Sequence, residues 1–163
     1  MIERTLVLVK PDGVKRSLAG EIISRFEKVG LKIIGMKMAW IDKEFAKKHY
    51  GEDIAKKHGV EVRERLLNYI SEGPVIAMVL EGVDAVNVVR KIVGSTYPNE
   101  APAGTIRGDY AHISKVYANT KEIHVKNLIH ASGTKEEAKV EVNLWFKNNE
   151  LHSYKGVHDE HLF

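Results

Sequence analysis

Cysteine is absent from the 163-residue chain, which excludes a disulfide framework, a thiolate metal site and any thiol nucleophile. Long apolar runs are missing as well. The run near the N-terminus is cut at Lys10-Pro11-Asp12, far short of a secretory leader's core. The longest later run, residues 75–80, is six residues long, where a bilayer asks for ~20. A cytoplasmic protein with no membrane segment is therefore expected. Charge of one sign is not in excess: 25 basic and 22 acidic residues leave a net +3, compatible with anionic ligands but no argument for nucleic acid. Aromatic residues make up only 7%, and no K/R-G-F/Y-G/A-F-V-x-F/Y run occurs, which speaks against an RNA-reading sheet. Neither G-x-x-x-x-G-K-S/T nor G-x-G-x-x-G is present, so a phosphate would have to be held by side-chain cations. Repeats and low-complexity segments are also lacking.

What remains is the composition of an ordinary globular protein, 44% hydrophobic and 29% charged, of a length that favours one domain, residues 1–163, with its own core. Residues 5–9 read as a strand ended by the turn Lys10-Pro11-Asp12-Gly13. Residues 21–29 read as a helix stopped by Gly30. A second strand is expected over residues 31–41, with irregular alternation and with Met36, Met38 and Trp40 as core. Helices follow over residues 43–50 and 61–70. A third strand spans residues 75–81, and Asp84 is expected to cap a helix that runs to Val93, as Asp42 caps its own. Residues 95–126 lose regular patterning and read as a long loop, of the kind that is usually functional or mobile. Residues 128–131 form a short last strand. Thr134 and Glu137 then make a T-x-x-E capping box for a helix. This β-α-β, helical insertion, β-α-loop-β-α order predicts an α+β, ferredoxin-like split β-α-β sandwich: a four-stranded antiparallel sheet covered by helices.

The chemistry concentrates at N-L-I-H-A-S-G, residues 127–133. His130 ends the last strand, where an open sheet delivers side chains to a cleft. On the helix that follows, Ala138, Val142 and Trp145 make the apolar stripe. Glu141 sits at that stripe's edge and four residues after Glu137, a like-charge spacing that costs a few tenths of a kcal/mol. A carboxylate that breaks two local rules is a candidate for work. Folded back, it would hold one nitrogen of His130 and leave the other as a nucleophile. A lone histidine at a strand end is more often a satisfied polar residue, so the case rests on the rest of the chain. Lys10 ends a buried strand, Arg90 borders an apolar helix face, and Arg107 lies in the glycine-flanked A-G-T-I-R-G-D. Each could contribute ~1.5–3 kcal/mol to holding a phosphate. Each alone is more often a surface salt-bridge residue, and Lys47-Lys48 and Lys56-Lys57 read as solvated faces. A metal site in the tail, built on His152, His158 and His161, is poorly supported by its spacing.

Taken together, these stretches resemble the nucleoside diphosphate kinase family. The residues that carry the resemblance are E-R-T-L-V-L-V-K-P-D-G-V (3–14), G-E-I-I-S-R-F-E-K-V-G-L-K (20–32), S-E-G-P-V-I-A-M-V-L-E-G (71–82), G-T-I-R-G-D (104–109) and N-L-I-H-A-S-G, close to the family's N-x-x-H-G-S-D. The resemblance spans nearly the whole chain and implies a ping-pong transfer of the γ-phosphate, mainly from ATP, to nucleoside diphosphates through a phosphohistidine. It implies His130 as nucleophile, Glu141 as its orienting carboxylate and Ser132 beside that carboxylate. It assigns Lys10, with Tyr50 nearby, to ribose and transferred phosphate; Arg90, Thr96 and Arg107 to the β- and γ-phosphates; Asn127 to the ribose hydroxyl; and Leu66 to the base. Mg²⁺ is expected to come with the nucleotide's phosphates rather than in a protein cage. A homo-oligomer, hexamer or tetramer, is expected. Val62 stands near the family's base-stacking phenylalanine. The segment around residues 51–62 is longer than usual, and residues 111–125 carry an insertion of the kind seen in some archaeal-type members. His124 falls where a small apolar residue is common, and Ala131 and Gly133 replace glycine and aspartate beside the histidine. The alternatives are a ferredoxin-like module that binds a nucleotide or RNA without chemistry, and a nucleotide hydrolase. The hydrolase is disfavoured because no spare base is evident to activate water.

Overall fold

A computed structural model describes residues 1–161 of the chain. Four strands, β1 (Ile2–Val9), β2 (Lys32–Ala39), β3 (Val75–Val83) and β4 (Ile129–Ala131), form one sheet in the order β2-β3-β1-β4. Every pairing is antiparallel, so the split β-α-β arrangement expected from the element order is the one observed.

The residues of β1 divide the core by the period-2 rule. Leu6 and Leu8 pack on one face with α3 (Lys43–His49), α5 (Val60–Ser71) and α9 (Lys135–Trp145). Val7 and Val9 pack on the other with α2 (Ala19–Glu27) and α6 (Ala85–Val93). All four are fully buried, each contributing roughly 1.5–3 kcal/mol of transfer free energy.

Several expectations need correction. The turn after β1 is a short helix, α1 (Pro11–Lys15), with proline at its first position, where a missing N–H costs nothing. Gly13 lets this helix lie against the sheet: a Cβ there would come within 2.9 Å of Val9 and 3.0 Å of the Leu128 carbonyl. In β2 the register slips between Ile33 and Gly35. This bulge flips the strand's inside and outside, hence the irregular alternation. Met36, Met38 and Trp40 are not core; they are 54%, 61% and 70% exposed, because at this end of the edge strand their face is left uncovered within the chain. Asp84 does not cap α6 with its side chain. It sits in the left-handed region at φ 48°, its carboxylate 3.9 Å from the N-terminal ammonium.

Of the two segments set apart as insertions, residues 51–62 are largely helical and residues 111–125 hold one short helix. A helix α4 (Glu52–His58) precedes α5, the two separated by Gly59 at φ 97°, where a side chain would be strained. The stretch read as a long loop holds a 3-10 turn (Pro98–Glu100), α7 (Ile106–Tyr110) and α8 (Lys115–Thr120). Thr105 and Ser114 cap the last two by accepting from Gly108 and Tyr117 N–H. A second 3-10 turn (Asn148–Glu150) and α10 (His158–His161) complete the described chain.

Candidate active site

His130 is the middle residue of β4 and pairs with Leu8 of β1. Residues opposite each other across a sheet share a face, so the imidazole stands on the side occupied by α9. Thr134 starts that helix by accepting from the Glu137 N–H. Glu137 completes the turn one residue further back than a capping box would, accepting from Gly133 N–H at 2.8 Å. Two turns after Thr134, Glu141 meets the histidine: His130 Nε2 lies 2.9 and 3.0 Å from its carboxylate oxygens. Ser132 Oγ donates to Glu141 Oε2 at 2.5 Å and accepts from Leu6 N–H. Burial alone would raise the Glu141 carboxyl. The His130 ring and its hydrogen bond, with the Ser132 hydroxyl, hold it below the usual range. A carboxylate on Nε2 fixes the proton there and leaves Nδ1 with a free lone pair.

An open cleft of about 960 Å³ runs outward from this pair. It is lined by Lys10, Tyr50, Val62, Leu66, Arg90, Thr96, Arg107, Asn127, His130 and Glu141, so every site residue expected from sequence borders it except Ser132, which is fully buried behind Glu141. Lys10 Nζ donates to Asn127 Oδ1 at 2.8 Å, and Asn127 Nδ2 donates to the Thr96 carbonyl at 2.8 Å. Arg107 spends four donor contacts on the carbonyls of Gly94, Ser95, Asn127 and Ile129, tying the loop after α6 to β4. Burial, reinforced by Arg107, pushes the Lys10 pKa down to about 7 against a smaller upward pull from Asp12. Burial and Arg90 lower Arg107 to about 10. Cations that burial weakens in this way gain from an anionic ligand.

Some residues that build the site were missed. Asp12 accepts from the Tyr69 hydroxyl at 2.5 Å and from Leu128 N–H at 3.1 Å, joining α1, α5 and the entry to β4. Arg63 donates to the Tyr50 carbonyl and pairs with Glu52 at 2.8 Å. His49 packs edge-on against His130 with ring centroids 4.6 Å apart. Burial, with the charges of His130 and Lys10, lowers its pKa to about 3 against a weaker upward pull from Glu141, so its 3.8 Å approach to Glu141 is not an ion pair. Adjacency to Tyr50 was the one signal for His49; nothing in the spacing announces the Tyr69–Asp12 contact. Lys48 and Lys57, read as solvated, border the cleft. The insertions also line it, through Ile54 and His58 on one side and Ile123 and His124 on the other. His124 stacks on Tyr69 at 5.0 Å.

Among the described residues, the one group of His, Asp and Glu close enough to share an ion is His49, His130 and Glu141, with ligand atoms within 4.8 Å of one another. Of the ring nitrogens in this group, His130 Nε2 is bonded to Glu141 and His49 Nδ1 accepts from Trp145. Among the described residues, the tail histidines form no such group.

A ferredoxin-like sheet thus presents a carboxylate-bonded histidine to a cation-lined cleft, an arrangement suited to a phosphotransferase. The model of the family described as "Nucleoside diphosphate kinase" matches residues 3–151. The chain is 46% identical over 156 residues to the nucleoside diphosphate kinase of Borreliella burgdorferi, covering 95% of this chain and 93% of that one. It is 53% identical over 150 residues to that of Sulfurisphaera tokodaii, covering 92% of each. A solved structure of the Borrelia burgdorferi nucleoside diphosphate kinase, a transition-state mimic with bound vanadate and ADP, superposes with a TM-score of 0.95 at 45% identity, covering 97% of this chain and 95% of that one. The chain belongs to the nucleoside diphosphate kinase family and is a nucleotide-binding phosphotransferase. No described helix is long and apolar enough to cross a membrane.

Proposed function

We propose that residues 1–163 act as one nucleoside diphosphate kinase domain in which His130 Nδ1 carries the phosphoryl group between two nucleotides. The observation that supports this most directly is the bond of His130 Nε2 to Glu141. It leaves Nδ1 unprotonated, so its lone pair attacks the γ-phosphorus without a separate base. The P–O bond to the β-phosphate breaks and a nucleoside diphosphate leaves. Positive charge that develops on the ring is met by Glu141, which Ser132 holds in place. A second nucleoside diphosphate then attacks the phosphohistidine with a terminal phosphate oxygen, and Nδ1 is released with its lone pair.

Lys10, Arg90, Thr96 and Arg107 hold the β- and γ-phosphates, and Tyr50 borders the transferred group. The Asn127 amide hydrogen not used by Thr96 is assigned to a ribose hydroxyl. Val62 and Leu66 form an aliphatic wall for the base. A donor set of cations with no acidic cage fits an ion carried by the nucleotide's own oxygens. Mg²⁺ carried in with the nucleotide would neutralise part of the phosphate charge beside these cations. The substrates are nucleoside tri- and diphosphates, and no nucleic acid is required. A homo-oligomer, hexamer or tetramer, and a cytoplasmic location belong to the same proposal.

The test is incubation with labelled ATP, a search for an acid-labile, base-stable phosphoprotein, then addition of GDP. Labelled protein and labelled GTP are expected, and His130→Ala abolishes both. Glu141→Ala gives a partial loss, smaller than that of His130→Ala. Free phosphate as the main product would favour a hydrolase; the absence of turnover would favour a binding module.

A further inference from the structure

Glu141 can orient His130 only if α9 is held at one rotation and one height above β4. The helix itself does not ensure this, because its N-terminal end is fixed by the Thr134 cap while its last residue, Trp145, lies eleven residues away from that cap. Trp145, one turn beyond Glu141, is 3% exposed. Its indole Nε1–H donates to His49 Nδ1 at 3.2 Å, and His49 closes α3, a different element. The His49 ring also stands edge-on to His130, at 82° and 4.6 Å between centroids, and edge-on to Trp145 at 5.7 Å. One buried imidazole thus touches the nucleophile directly and the helix of its orienting carboxylate through a hydrogen bond.

We propose that His49 is a positioning residue for phosphoryl transfer: by accepting from Trp145 it sets the rotation of α9, and so keeps Glu141 in line with His130. The inference rests on the kinase reading above. A second observation separates it from ordinary packing. With Nδ1 accepting from Trp145, the His49 proton lies on Nε2, and that nitrogen is buried without a partner. An unpaired buried donor is unfavourable, and a leucine would fill the space without it. What a leucine cannot do is accept from the indole. The ring is neutral, so it offers this lone pair without placing a second charge beside Glu141.

The test compares His49→Leu, which keeps bulk and loses the acceptor, with His49→Asn, whose Oδ1 stands near the position of Nδ1. Trp145→Phe removes the donor from the other side. Single-turnover phosphorylation of His130 by ATP is followed by rapid quench, ADP affinity by calorimetry, and folding by thermal melting. His49→Leu is expected to slow phosphorylation about tenfold, the order of effect of a small misalignment at the reacting atoms, with the Kd for ADP within about twofold. Trp145→Phe should give the same loss, the double variant no further loss, and His49→Asn most of the wild-type rate. Should His49→Leu fail to fold, His49→Asn and Trp145→Phe still decide the matter through their rates. Wild-type rates in Trp145→Phe, or a loss confined to ADP affinity, would overturn the proposal. A wild-type protein that never becomes phosphorylated would remove the kinase reading itself.

Discussion

Lys10 is 4% exposed, and Asn127 is its side-chain hydrogen-bond partner. Burial first, then Arg107, brings its pKa from 10.5 to about 7, with Asp12 opposing. Above pH 7 the free protein therefore carries a largely neutral amine at this position, and a polyphosphate favours the ammonium form. Nucleotide binding at pH 8 should take up close to one proton, and affinity should fall as pH rises above about 7. Calorimetry in two buffers of different ionisation enthalpy reads the uptake; heats independent of buffer would sink the idea. The same shift bears on folding. Between about pH 7 and 10.5 the unfolded chain binds this proton and the native one does not, so the Lys10 contribution turns against the fold as pH falls through that window. Lys10→Met should raise the melting temperature by a few degrees at pH 7–8, lose that advantage above pH 10.5, and abolish transfer. Replacement of a poorly compensated buried charge by an apolar side chain of similar volume is commonly stabilising.

Asp12 joins three elements at once: α1, which bears it, α5 through Tyr69, and the entry to β4 through Leu128 N–H. Leu128 is buried at φ 70°, a left-handed conformation that costs of order 1–3 kcal/mol for a residue with a side chain and persists where surroundings enforce it. The bonds from Lys10 N–H to the Leu128 carbonyl and from Arg107 to the Asn127 carbonyl supply that enforcement from either side. Asp12→Ala strands two buried donors and should destabilise by about 2–4 kcal/mol, read by denaturant unfolding. Asp12→Asn, which keeps an acceptor, should cost less. Equal stability of Asp12→Ala and wild type would mean that β4 needs no such tether. The element scale also shows what the sequence made legible. The strands stand out as apolar or β-rich runs and the long helices α2, α5, α6 and α9 by their apolar stripes, and each lies within a few residues of where the sequence places it. Glu141 was readable because it breaks that periodicity. Contacts made across the chain leave no local trace: Tyr69 with Asp12, Arg107 with four carbonyls, His49 with Trp145. The β2 bulge and the short helices α1, α4, α7 and α8 were hidden because one or two turns are too few to establish a period, although Thr105 and Ser114 were readable cap signals. Met36, Met38 and Trp40 were misplaced because period 2 tells which residues share a face, not whether anything covers it.

At the scale of the whole molecule that uncovered face is the feature to explain. Met36 lies opposite Met78 in the β2–β3 ladder, so the two share a face. Met78 is fully buried beneath the helices, whereas Met36, Met38 and Trp40 extend past them. The edge of β2 is partly occupied, since His152 N–H and the Tyr154 hydroxyl donate to the carbonyls of Ile34 and Ile33. Beyond Gly35 the strand has no such cover among the described contacts. An open edge beside large apolar side chains is a liability in a monomer, because it invites pairing with another strand. A second copy of this chain offers the matching edge under two-fold symmetry and would bury the methionines and the tryptophan of both. The cleft with His130 opens beside α4, α5 and α8, away from this edge strand, so such an interface leaves nucleotide access free. Met36→Glu combined with Met38→Glu should therefore lower the assembly's mass by light scattering and its melting temperature, while the separated subunits remain able to phosphorylate His130. The prediction fails if the wild-type protein is a monomer, or if the double variant keeps the wild-type mass, because like charges placed at a self-paired edge cannot be tolerated there.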